Sequence, residues 1–438
     1  MPRNTTDTTD QERIGSLTDR RTMLKAAGGV GIVGLAGCVS TTDDDDDDDG
    51  AGADDGSDDT ESGGDDEDVY EVGMVDSLTG SLADFGERNQ RALELALADI
   101  NEVGVRGGEL DVIVEDSESE SQGGVAAAQK LVNQDDVPFL IGAVGSGVSL
   151  SIYESVIQGT DVVQLSQNST GLGLTDFPGL LRMSPSGRTQ SVALADIIAD
   201  DGYDEVAVTY INDEFGESLF DAFAEAYDGE IVYESSHDGE QASYGSLVSE
   251  MNGSGTEAWL CITYQQEFAT MVTNMFESGY EPQLYGADSN RGDTVLANTP
   301  EGSMDGMKLV EPAAPEDQET YQAFAADFEA EFGESPTAWS AFSYDCAVTA
   351  ALSIQAADEF SGAALGEVVR DVTRPEGEEV FTYEEAHAIL DDGGTADDID
   401  YQGVSGPIDF DENGDPRGSL VVFEVRDHGY EAIEFRES

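Results

Sequence analysis

From residue 69 onward, short apolar runs alternate with longer amphipathic ones, and this rhythm restricts the fold more than any other feature of the chain. Residues 69–75 read as a strand, and 88–101 as a helix with Ala92, Leu93, Ala96, Leu97 and Ile100 on one face. A strand at 110–114, a helix at 124–132, a buried strand at 137–144, a helix at 149–157 and a strand at 162–165 follow. Strands separated by helices pair in parallel, with the helices covering the sheet. After a break near Pro185 the rhythm restarts, with helices at 189–198, 216–227, 244–251 and 267–278 and strands at 205–210, 230–233, 258–263 and 283–285. Two α/β units in tandem are expected, and the 370 residues from 69 to 438 are too many for one core. Two long helices, 319–332 and 337–357, come next. The chain closes with an apolar stretch at 408–411, a hairpin turn expected at Asn413-Gly414, and strands at 420–425 and 432–435.

The N-terminus reads as an address. Arg20 and Arg21 precede an apolar, glycine-rich stretch that ends in Leu35-Ala36-Gly37-Cys38, the pattern of a twin-arginine export signal. The Leu-Ala-Gly-Cys end is similar to a lipobox, which makes Cys38 the lipidation site and places the body on a lipid tether at the outer face of the cell membrane. A spanning helix needs roughly twenty apolar residues, more than this glycine-broken run supplies. Gly29, Gly31 and Gly34 match a dinucleotide fingerprint but lack the preceding strand that such a site requires. Residues 39–68, with aspartates from 43 to 49 unbroken, cannot bury apolar surface and are expected to form an extended acidic linker.

Charge narrows the partners. Residues 69–438 carry 13 basic and 74 acidic side chains, a net charge of −61 within the folded body itself. Such a body repels itself in dilute buffer, and at molar salt, where the Debye length is about 3 Å, that repulsion is screened. The expectation is a protein of an extreme halophile, one that does not bind nucleic acid. Besides Cys38 there are two cysteines, Cys261 and Cys346, both in apolar settings that suit small buried hydrophobes, with a disulfide left open.

At this point the order of elements and several motifs come together. Ser77-Leu78-Thr79-Gly80 follows the first strand, then Phe85-Gly86; Ala96, Ile100 and Asn101 end the first helix. Ile141-Gly142 leads to Ser146 and Ser149, and Leu165-Ser166 to Ser169-Thr170 and Leu174-Thr175. Asp213-Glu214-Phe215-Gly216 opens a helix of the second unit, and Gly406-Pro407-Ile408-Asp409-Phe410-Asp411 precedes Asn413-Gly414. In this order and spacing the body resembles the branched-chain amino acid binding proteins, the type I periplasmic solute-binding proteins of ABC importers, here in a haloarchaeal lipoprotein form. The resemblance implies an α/β, two-lobed fold, each lobe a parallel sheet flanked by helices, with three hinge crossovers. Lobe one would comprise 69–188 plus 313–405, and lobe two 189–312 plus 406–438.

The same resemblance implies the site. A zwitterionic ligand needs hydroxyl and N–H donors for its carboxylate and an acid for its ammonium. Ser146, between a strand and a helix, takes the carboxylate-binding position, with the backbone of Ser169 and the hydroxyl of Thr170; the plain alternative for Ser146 and Thr170 is helix capping. Asp288, on the loop after a short strand, stands where the ammonium partner is expected, although in so acidic a chain an aspartate is also ordinary surface. Phe85 and Phe215 match wall aromatics, a further one falls at Tyr264 or Gln265, and any of them could equally be core; the hydroxyl usual at position 215 is lost.

Enzymatic readings find little support. His237, His387 and His428 are scattered, with no nucleophile at a recognisable spacing. Asp409, Asp411, Asn413 and Gly414 begin like a calcium loop, but position twelve is Leu420, so no metal is expected. Asn168-Ser169-Thr170 and Asn252-Gly253-Ser254 fit a glycosylation pattern, although sugar on Asn168 would crowd the cleft. The expectation is a non-enzymatic, cofactor-free binding protein that takes a small amino acid ligand and docks on an ABC permease and ATPase complex. Two alternatives stay open: urea, short amides or aromatic acids in the same fold, and a ligand-sensing ectodomain for a receptor.

Overall fold

The computed structural model describes residues 68–437. The export signal at 1–38, the lipidation site Cys38 and residues 39–67 of the linker lie outside them. Along the described chain come β1 (Val69–Asp76), α1 (Ala83–Val103), β2 (Glu109–Asp116), α2 (Ser121–Asn133), β3 (Phe139–Gly142), α3 (Ser146–Ile152), β4 (Val163–Ser166) and β5 (Leu180–Arg182). These five strands form one parallel sheet in the order β2-β1-β3-β4-β5. Strand β1 passes from exposed to buried along its length, and the stripe Ala92, Leu93, Ala96 and Ile100 buries α1 against the core. Each fully buried side chain of the size of Ile100 contributes about 1.5–3 kcal/mol.

The second unit runs α4 (Gly187–Asp200), β6 (Glu205–Ile211), α5 (Glu214–Ala226), β7 (Glu230–His237), α6 (Gly245–Gly253), β8 (Ala258–Ile262), α7 (Gln265–Glu277), β9 (Gln283–Gly286), α8 (Asp293–Asn298) and β10 (Lys308–Ala313). The chain then adds α9 (Glu319–Phe332), α10 (Ala338–Ala356), α11 (Gly362–Val368), β11 (Glu378–Val380), α12 (Tyr383–Asp391) and β12 (Ile399–Tyr401) to the first half. It ends with β13 (Ser419–Arg426) and β14 (Gly429–Glu437) in the second sheet, whose order is β14-β13-β10-β9-β8-β6-β7. Helix α10 is small-residue rich and buried on nearly every side, as a helix wedged inside a core must be. It lies against α1, where the Ser343 hydroxyl donates to the carbonyl of Asn89 at 3.2 Å and Tyr344 donates to Asp99 at 2.7 Å.

Several features depart from the sequence expectation. The second sheet is mixed, because β13 and β14 run antiparallel at its edge. The hairpin turn joining them is Asp427-His428, both at positive φ (49° and 58°), as a tight two-residue turn requires. Residues 408–411 form no strand, and Asn413-Gly414 turns on itself instead: Gly414 N–H donates to the Asp411 carbonyl at 3.1 Å, and the Asp411 carboxylate accepts from Asn413 N–H at 2.7 Å. Strand β10 escaped the pattern because Glu311 and Pro312 interrupt its apolar run. Glu311 is nevertheless buried, held by Arg291 at 2.7 Å.

The chain crosses between the two sheets three times, at 183–186, 314–318 and 402–418. The first and third crossings are tied together. Arg182, fully buried, donates to Asp415 at 2.6 Å, and its backbone N–H donates to the Gly414 carbonyl at 3.1 Å. The third crossing begins on Asp345, whose buried carboxylate accepts from Tyr401 at 2.7 Å, Val404 N–H at 3.1 Å and Ser405 N–H at 2.7 Å. None of the described helices is long and apolar enough to cross a membrane.

Candidate functional site

A narrow cavity lies between the two sheet-bearing halves, at the carboxyl ends of the parallel strands, where open α/β sheets place ligands. The space among its lining atoms, counted out to the solvent at its opening, is about 330 Å³. The halves also touch each other directly. Arg88 pairs with Asp293 at 2.8 Å, Thr294 donates to Asp84, Leu172 N–H donates to Ser218 at 3.0 Å, and Gly173 N–H donates to Glu214 at 2.8 Å.

Six of the seven ligand-site candidates line this cavity. Ser146 begins α3 after the sharp turn at Gly145 (φ 91°), and its hydroxyl oxygen accepts from Gly171 N–H at 2.9 Å. Only glycine fits at 171, since a Cβ there would sit 2.7 Å from that of Ser146. Thr170 donates to Asp288 at 3.2 Å. Phe85 meets Trp339 edge to face at 5.8 Å, and Phe215 stacks on Tyr264 at 5.4 Å. Of Tyr264 and Gln265, Tyr264 lines the cavity, whereas the Gln265 amide donates to the Arg291 carbonyl at 2.7 Å. Ser169 stands one layer back: its N–H donates to Ser184 at 3.2 Å and its carbonyl accepts from the same hydroxyl at 2.9 Å. Arg182 reaches the loop from behind, donating to the Gly171 carbonyl at 2.7 Å and to Thr175 at 2.7 Å.

Charge in the cavity is one-sided. Asp288 is 3 % exposed, and burial pushes its carboxyl up to about 6. The donors that hold it are neutral, Ser289 N–H at 2.7 Å and the Thr170 hydroxyl. Arg291 is engaged with Glu311, itself pushed up to about 7 by burial, and stacks over Phe423 at 4.1 Å. A carboxylate enclosed by neutral donors favours a ligand that carries a positive charge. The Tyr264 hydroxyl is committed to Asp213 at 2.6 Å, and Asp213 also caps α5 through Gly216 N–H at 3.0 Å.

The sequence reading missed Trp339, which the returning α10 carries into the wall, and also Asn168, Ser289 and Leu82. Asn168 is visible in the sequence only as a glycosylation match, and in the structure it is one of the buried residues lining the cavity. Elsewhere, His237 is held between the hydroxyls of Thr209 and Thr263, at 2.9 and 2.8 Å, and burial pushes it down to about 4. Cys261 and Cys346 are buried free thiols. Among the described residues no cluster of three His, Cys, Asp or Glu could hold a metal ion.

Residues 69–429 match the family of periplasmic binding proteins. The chain belongs to that family. Among relatives of this periplasmic binding protein, a Leu/Ile/Val-binding protein homolog of Brucella melitensis is 26 % identical over 225 residues, half of this chain and 60 % of the relative's length. Another Leu/Ile/Val-binding protein homolog, from Brucella abortus, is 24 % identical over 367 residues, covering 81 % of this chain and 90 % of that one. In fold it is similar to a leucine binding protein of Thermotoga maritima, with a TM-score of 0.73 at 18 % identity over 84 % of this chain and 99 % of the other. The branched-chain amino acid transporter substrate binding protein of Streptococcus pneumoniae, solved with isoleucine, gives 0.73 at 19 % identity over 85 % and 100 %. The two-lobed type I periplasmic-binding fold is thereby established for this periplasmic binding protein.

Proposed function

We propose that the protein is an extracytoplasmic solute-binding protein that captures a branched-chain amino acid, or a close analogue, and presents it to an ABC permease and its ATPase. The observation that carries this reading is the opposition of Ser146 and Thr170, from one half, to Asp288, from the other, across a single cavity walled by aromatic rings. Hydroxyl donors suit a carboxylate and a buried acid suits an ammonium, so a zwitterion bridges the halves and biases them toward closure. The halves in this reading are 69–188 plus 313–405 and 189–312 plus 406–438, moving about the three crossings. Cys38 would carry the lipid that holds the body outside the cell membrane, and the acidic surface would suit it to molar salt.

The test is a thermal-shift screen of the full chain in about 3 M NaCl, since screening requires high salt. A ligand that binds only the folded state raises the melting point. Leucine, isoleucine, valine or a close amino acid analogue should do so, and Asp288→Ala should abolish the shift. If no amino acid, amide or aromatic acid shifts the wild type, the reading fails. Solved neighbours include a Rhodopseudomonas palustris binding protein in complex with benzoate (TM-score 0.69, 17 % identity, 84 % of this chain and 97 % of that one). An anion without an ammonium group would meet Asp288 unfavourably, which argues against an aromatic acid here.

A further inference from the structure

We propose that Asn168 selects the ligand by pairing with a carboxamide on the ligand's side chain; this rests on the cavity being a solute-binding site. Asn168 follows β4, bridges Val144 on the neighbouring loop, and accepts from Gly145 N–H through its backbone carbonyl at 2.9 Å, so its position is fixed by main chain. Asn168 is one of the residues that line the cavity, it is buried, and neither Oδ1 nor Nδ2 has a partner.

Each of the other polar side chains of the wall already has at least one partner. Ser146 accepts from Gly171, Thr170 donates to Asp288, Ser289 donates to the Thr263 carbonyl at 2.8 Å, and Tyr264 donates to Asp213. Asn168 is therefore the lining side chain whose donor and acceptor both face an unfilled need. A buried polar group without a partner is costly. A branched aliphatic side chain would enclose the amide and supply nothing to it. A carboxamide supplies one donor and one acceptor in a plane, the complement of the asparagine amide itself. Asparagine has nearly the shape of leucine, with an amide oxygen and nitrogen in place of two methyl groups. The two ligands thus share a branching pattern, asparagine being flatter and smaller, and differ chiefly in hydrogen bonding.

The experiment is calorimetric titration of the full chain in about 3 M NaCl with L-leucine, L-asparagine and L-glutamine, for the wild type, Asn168→Leu and Asn168→Ala. Sites built to hydrogen-bond a polar group reject the analogue lacking it by large factors. The better of the two carboxamides should bind the wild type at least about 100-fold more tightly than leucine. Asn168→Leu should reverse that order. If the bulk at 168 prevents folding, seen as loss of the unfolding transition, Asn168→Ala should still erase the preference. Leucine binding the wild type as tightly as either carboxamide would overturn the inference and leave the solute-binding reading in place. A variant that weakens all three ligands equally, with their ratio kept, would put Asn168 on the shared zwitterion and also overturn it. Absence of binding by any amino acid, amide or aromatic acid would sink both proposals.

Discussion

The hydroxyl of Thr170 and the carboxylate of Asp288, 118 positions apart in the chain, meet at 3.2 Å and join the two halves across the cavity. Burial pushes Asp288 up to about 6. Above that pH the carboxylate is ionised and ready for an ammonium group. Below it, a proton must leave before the ammonium can pair. Affinity for an amino acid should therefore be flat above pH 6 and weaken by up to about tenfold per unit below it. Calorimetry in buffers of different ionisation heat should show proton release in the acid range, and Asp288→Asn should remove both binding and release.

The same residue predicts a conflict between function and stability. A carboxyl with a folded pKa of about 6 against an ordinary 3.8 binds its proton more tightly when folded. Its contribution to stability thus declines as pH rises from about 4 to 6 and stays low above that. Asp288→Asn cannot ionise and should melt at a higher temperature than the empty wild type at pH 7, with the gap closing toward pH 4. Thermal unfolding at fixed salt measures this; equal melting at pH 7 would show that Asp288 is not strained by burial.

Arg182 is fully buried and spans Asp415, Thr175 and the Gly171 carbonyl, which links the crossing segments to the serine-threonine loop. Removing one member of a buried pair leaves an uncompensated charge and costs about 3–5 kcal/mol. Arg182→Met should lose stability on that scale in a denaturant titration. Arg182→Met combined with Asp415→Leu should recover part of the loss, because neither charge is then left buried alone.

Tyr264 separates two roles by its two ends. Its ring stacks on Phe215 in the wall, and its hydroxyl serves Asp213. Tyr264→Phe keeps the ring and removes a hydrogen bond to a charged group, which is worth about 1.5–3 kcal/mol. Stability should fall by that amount while ligand affinity, measured by calorimetry, changes less than threefold.

With 13 basic and 74 acidic residues between 69 and 438, the body should be stabilised by salt through screening alone. The Debye length shrinks from about 10 Å at 0.1 M to about 3 Å at 1 M. The melting temperature should climb steeply over that interval and then more slowly, with NaCl and KCl nearly equivalent. Insensitivity to salt would contradict a repulsive surface.

Periodicity alone carried most of the first sheet and the helices around it, since apolar spacing records which face each segment buries. The tandem α/β order was legible for the same reason. Strand β10 was not, because the burial of Glu311 depends on Arg291, which reaches it from another segment. Nor was the true hairpin at Asp427-His428, since Asn413-Gly414 carried the stronger turn chemistry and was used to present Asp415 to Arg182.

The amino-acid order by itself determined the alternation of strands and helices, the acidity of the body and the residue types available to a site: hydroxyls at 146 and 170, an acid at 288 and rings at 85, 215 and 264. Tertiary structure alone decided which of them share a cavity. It also moved Ser169 behind the wall, carried Trp339 into it and left the side-chain amide of Asn168 without partners. The physical reason is that hydrophobic spacing is local, whereas whether a buried polar atom is satisfied depends on what distant segments bring within about 3 Å of it.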